Sequence, residues 1–146
     1  MKDFRFRLER VLSWRGTQLT LAEAKVEELK GGLRATDAAM VATADARAVA
    51  QAAVGRAESI SGAELGRFEA LRVWSIREEK RLAARMTELE QSIEVGNRGV
   101  ADARRGVKLV ERLKGRKYET WKAEGDREID ELAGESAIAQ WRRSNR

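Results

Sequence analysis

Apolar residues recur along the first half of this chain in steps of seven: Leu12, Leu19, Val26, Leu33 and Met40, then past Arg47 to Val54. A second series, Leu8, Arg15, Ala22, Leu29, Thr36, Thr43 and Ala50, runs four residues ahead of it. A sustained alternation of fours and threes keeps one narrow stripe of an α-helix turned toward a partner helix along a gentle supercoil. The stripe is apolar as far as Met40 and thins beyond it. There the alanines between Ala35 and Ala57 hold helix propensity high and let two backbones approach closely. Gly31-Gly32 is a candidate bend.

The second half carries a matching seam, Leu82, Met86, Leu89, Ile93, Gly96, Val100, Ala103, Val107 and Val110. Between the two seams, Ile60-Ser61-Gly62-Ala63-Glu64-Leu65 reads as a helix start, with Ser61 as N-cap, Glu64 as its capping-box partner, and Ile60 and Leu65 as the flanking staple. A short turn near 59–62 forces the helices antiparallel, so contacting residues should have numbers adding to roughly 120. Leu33 then faces the stretch Met86 to Leu89, and Leu12 lies near Lys108. The expected fold is all-α: two long helices in an antiparallel coiled-coil hairpin, forming one domain over 1–146. Helix 1 spans about 4–58 and helix 2 about 62–133, with a C-terminal tail at 134–146. Paired helices of roughly 57 residues at about 1.5 Å each make a rod of about 85 Å, and Thr120 onward forms a helical overhang.

Composition narrows the class further. Charged residues make up 36% of the chain and aromatics 5%, with no proline and no cysteine, which suits a long helix with a narrow stripe better than a wide core. Without cysteine there is no disulfide or thiolate site, and without histidine a transition-metal site would need carboxylates alone. No metal or other cofactor is expected. Nor does any segment suggest a nucleophile elbow or a phosphate loop; Gly62-x-x-x-Gly66 lacks the Lys-Ser/Thr and the preceding strand. The reading is a non-enzyme with no small-molecule substrate, suited to a reducing compartment, and the opening residues lack the apolar block of a secretory signal.

Charge and off-seam apolar residues mark three candidate surfaces. The net charge is +5, and from Arg104 to Lys117 seven bases (Arg104, Arg105, Lys108, Arg112, Lys114, Arg116, Lys117) face the single acid Glu111. Leu109 and Leu113 interrupt that run and Tyr118 and Trp121 follow it, making it basic and amphipathic; the bland alternative is a solvated helix face. Phe4 and Phe6 converge on the same end. Val73, Trp74 and Ile76 fall off the second seam, whose backward continuation meets the polar Glu79, Ser75 and Arg72. They are either repacked inward by a local stutter or exposed as an aromatic anchor. The third surface is the tail, where Trp121, Ile129, Leu132, Ile138 and Trp141 have nothing expected opposite them.

The opening Phe4-x-Phe6-x-Leu8-x-x-Val11-Leu12-x-x-Arg15 resembles the start of the FliJ proteins of the bacterial flagellar type III export apparatus, which have relatives in virulence type III secretion. The length, the lack of proline, the glycine-bearing turn near 60 and the late Asp130-Glu131-Leu132-Ala133 are similar too. The resemblance implies a two-helix stalk, similar to the shaft of a rotary ATPase, inserted into the hexameric export ATPase. The membrane export gate and the export chaperones are the implied further partners. It implies a cytoplasmic location, peripheral at the cytoplasmic face of the cell membrane. On this reading Phe4, Phe6, Arg104, Arg105, Lys108, Arg112 and Trp121 would dock in the ATPase ring. Val73, Trp74 and Ile76 would bind the gate, Trp74 matching the aromatic that opens the family's gate-binding stripe. Further along, Glu78, Arg81 and Arg85 depart from the apolar or neutral residues of that stripe.

The alternative reading, from another class, is a basic coiled-coil nucleic-acid-binding protein using the same run from Arg104 to Lys117 to displace counterions. No recognised reader motif accompanies those charges.

Overall fold

The computed structural model describes residues 2–145, so the outermost residue at each end of the sequence reading, Met1 and Arg146, lies outside it. The described residues form two helices and no strand: α1, Glu9–Arg56, and α2, Gly62–Ser144. The two pack against each other as an all-α hairpin. The start of α2 is capped as the sequence indicates. The Glu64 backbone N–H donates to Ser61 Oγ at 3.1 Å, and the Ser61 N–H donates to Glu64 Oε2 at 3.4 Å. This reciprocal pair satisfies donors that a helix start otherwise leaves open.

Both outer bounds differ from the sequence reading. The first helix begins at Glu9 rather than near Phe4, and residues 2–6 are not helical. In a helix, residues two apart point to nearly opposite sides. Outside one, Phe4 and Phe6 can both be half-buried, as they are here. At the other end α2 runs on past 133 to Ser144. Gly134 alone does not stop a helix when no proline or capping sequence follows, and Arg142 and Arg143 in the last turn complement the helix dipole. Gly31-Gly32 does not break α1, which passes through it uninterrupted, and no described glycine has a positive φ.

A seam one stripe wide gathers no single central core, and the chain packs as two compact units. One unit is Thr20–Ala101. Its buried residues are seam positions: Val26, Thr36 and Thr43 from α1, and Ser75, Leu82 and Leu89 from α2. The pairing follows the expected sum of roughly 120. A Cβ placed on Gly32 would lie 3.6 Å from Leu89, and one placed on Gly96 would lie 2.8 Å from Val26 Cγ2. The two buried threonines donate to carbonyls one turn back, Thr36 to Gly32 and Thr43 to Ala39, each at 2.8 Å. The Ser75 hydroxyl, by contrast, is fully enclosed and has no hydrogen-bond partner. Where the first seam skips to Arg47 and the second reaches Glu79, the two side chains form a two-pronged ion pair at 3.0 and 3.1 Å.

The other unit joins the chain up to Leu19 with the chain from Asp102 onward. Val110 is buried in it, and Leu8, Leu12 and Val107 are half-buried. Arg15 stands where the first seam has a polar position and closes on Gly106, with Nη1 3.0 Å from where a Cβ would be. Lys114 reaches across to Glu9 at 2.9 Å. Among the described residues no helix is long and apolar enough to cross a membrane.

Candidate functional site

Within that second unit the non-helical N-terminal segment lies against α2 and is held there by aromatic contacts. Trp121 follows Val110 along the inner side of α2, and Tyr118, three residues before Trp121, is its neighbour on the helix surface. The Phe4 ring meets Tyr118 edge-on, with centroids 5.3 Å apart, and sits 5.7 Å from Trp121; Tyr118 and Trp121 are 5.5 Å apart. Such offset and edge-to-face arrangements suit the ring quadrupoles. The Trp121 indole N–H donates to the Lys2 carbonyl at 2.9 Å, which fixes the direction in which the segment crosses the helix.

Between segment and helix lies an open groove of 1310 Å³. Phe4, Phe6, Leu8, Leu113 and Trp121 form its apolar floor, while Lys2, Arg5, Arg7 and Lys117 outnumber Asp3 and Glu124 along its walls. An apolar concavity ringed by guanidinium and ammonium groups suits an acidic, partly apolar protein segment.

Phe4, Phe6 and Trp121, expected at one site from the sequence, are brought together in this groove. Arg104, Arg105, Lys108 and Arg112 do not line it. They are exposed along α2, and Arg105 pairs with Asp102 at 3.2 Å. The groove's bases are Lys2, Arg5, Arg7 and Lys117 instead. Lys114, one of the seven bases of the run, is engaged by Glu9. The sequence reading placed Lys117 and Tyr118 on the basic amphipathic surface but not among the docking residues, and it left out Lys2. The i, i+3 spacing of Tyr118 and Trp121 was a usable signal for Tyr118; nothing in the sequence alone tied Lys2 to Trp121.

Val73, Trp74 and Ile76 belong to the Thr20–Ala101 unit. Ser75 takes the buried seam position there. Trp74 is left 52% exposed, and Val73 and Ile76 are half-buried. Charged neighbours pair along α2 itself: Arg72 with Glu69, Arg81 with Glu78 and Arg85 with Glu88. The hydrogen bonds from Arg72 and Arg81 hold the Glu69 and Glu78 carboxyls below the usual carboxylate range. Glu78, Arg81 and Arg85, the residues that depart from the family stripe, are thus each occupied by a neighbour. Trp14, which the sequence reading passed over, is 58% exposed, and the Arg15 guanidinium lies 5.7 Å from its ring centroid.

No protein-family model, curated protein or solved structure matches this chain.

Proposed function

We propose that this chain is a non-catalytic interaction protein, the stalk component of a flagellar-type protein export apparatus. Its aromatic and basic end docks in the hexameric export ATPase through Phe4, Phe6 and Trp121, with Arg104, Arg105, Lys108 and Arg112 on the adjoining stretch of α2. Val73, Trp74 and Ile76 serve the membrane export gate, export chaperones are further partners, and the protein works in the cytoplasm at the inner face of the membrane. The observation that carries this reading is the groove lined by Phe4, Phe6 and Trp121. It is an apolar hollow bordered by bases, formed where the N-terminal segment crosses α2. The all-α hairpin supports the reading, as does the resemblance of the opening Phe4-x-Phe6-x-Leu8 step.

Binding of the purified chain to the export ATPase and to the gate's cytoplasmic domain tests it. Reversing Arg105, Lys108 and Arg112 to Glu should weaken ATPase binding and spare the gate, and Trp74→Ala should do the opposite. Loss of the same partner by both variants would sink the stalk reading. A second reading, a nucleic-acid binder, rests on the exposure of Arg105, Lys108 and Arg112. It takes over if the Glu variant loses salt-dependent DNA binding while its ATPase binding is untouched.

A further inference from the structure

From Asp126 to Ile138 every residue of α2 is exposed. Leu132 follows Trp121 by about three helical turns and so lies on the same side of the helix; between them along that stripe Gly125 is buried and Ile129 is exposed. Ile129 is 59% exposed and Leu132 65%. Immediately beside this stripe stands an acidic ladder, Glu124, Glu128, Glu131 and Glu135, each one residue ahead of a stripe position, while Asp126 and Asp130 border the other flank. The only base between Glu124 and Glu135 is Arg127.

Further back on α2, Glu69, Glu78, Glu88, Glu94 and Asp102 each hold an arginine three or four residues away. The four glutamates of the ladder have no ion pair among the described residues. An apolar stripe flanked by charge of one sign is the arrangement by which coiled-coil helices select a partner of the opposite sign, and it repels a second helix like itself.

From these features we infer that α2 from Glu128 to Glu135 is half of an intermolecular coiled coil, and that it takes one basic amphipathic helix of another protein. The partner's apolar residues would cover Ile129 and Leu132, and its lysines or arginines would meet the glutamate ladder. Apart from Glu124, which lines the aromatic groove, the ladder lies beyond it, and the inference does not depend on the export reading.

The probe is a fluorescently labelled 21-residue heptad peptide with leucine at the seam and lysine on both flanks; its counterpart carries glutamate on the flanks. Anisotropy titration against the full chain should show binding of the lysine peptide only. Leu132→Asp should weaken that binding by about ten-fold or more, because the loss of one buried leucine outweighs the added negative charge. The double variant Glu128→Lys and Glu131→Lys should prefer the glutamate peptide. Circular dichroism should leave both variants as helical as the parent, since all three side chains are exposed. Equal binding by Leu132→Asp and the parent would overturn the proposal, reducing the attraction to diffuse charge. It would be overturned equally if sedimentation showed the parent as a dimer that Leu132→Asp converts to a monomer, because the occupant would then be a second copy.

Discussion

Arg47 and Glu79 meet across the helix pair with both prongs of the guanidinium on the carboxylate, at 3.0 and 3.1 Å. Each is a charged position on its own seam, so two breaks that look like defects separately are complementary when paired. Both side chains remain partly open to solvent, which limits the pair's net worth. Arg47→Leu or Glu79→Leu alone should lower stability by about 1–2 kcal/mol by stranding the other charge. The double Leu variant should regain that loss and exceed the parent. Thermal melts of the three variants decide it, and a double variant no better than the singles would mean the pair contributes something other than mutual neutralisation.

Ser75 is enclosed with its hydroxyl unsatisfied. Removing an unmatched polar atom relieves its desolvation penalty, so Ser75→Ala should raise stability by about 1 kcal/mol. Urea titration would show it as a higher midpoint at an unchanged slope. A lower midpoint would mean that a bond not seen here satisfies the hydroxyl.

Two helical glycines on α2 should respond in opposite directions. A methyl on Gly96 would come 2.8 Å from Val26 Cγ2, whereas one on Gly99 meets nothing within 4 Å. Val26 is buried and branched, with little room to yield. Gly96→Ala should therefore destabilise by about 1–3 kcal/mol, and Gly99→Ala should stabilise by about 1 kcal/mol through helix propensity. Melting temperatures that shift in the same sense would contradict the close approach at Gly96.

The N-terminal segment depends on Trp121 for both a ring contact and a hydrogen bond. Trp121→Phe keeps a ring and loses the bond to the Lys2 carbonyl; Trp121→Ala loses both. Limited trypsin digestion should cut after Arg5 and Arg7 faster in the Phe variant and faster still in the Ala variant. Cleavage at the parent's rate in both would show that the segment is held by other contacts.

The seams, the antiparallel pairing and the capping box were legible in the sequence because each rests on local spacing. Leu89 opposite Gly32 and Ser61 bonded to Glu64 follow from periodicity and a four-residue motif. What escaped depends on contacts between distant residues or on the absence of a stop. The sequence suggested helix from residue 4, yet residues 2–6 are not helical and Phe4 packs on Tyr118 and Trp121 instead. The tail at 134–146 was set apart from helix 2 because its apolar residues lack an intramolecular partner, although nothing between Gly134 and Ser144 interrupts the helix. The site was half legible: the aromatic members followed from residue type, whereas its flanking bases are set by the path of the N-terminal segment.

The 2.8 Å approach at Gly96 also bears on how the hairpin avoids slipping. A heptad seam is nearly self-similar under a shift of seven, so α1 could slide along α2 and still bury apolar residues. Such a slide would set Val26 against Ala103 or Leu89, and neither leaves the gap that Gly96 does. The glycine therefore works as a notch that only one register can enter, so the alignment of the two helices in the Thr20–Ala101 unit is encoded by a missing side chain as much as by the ones that touch.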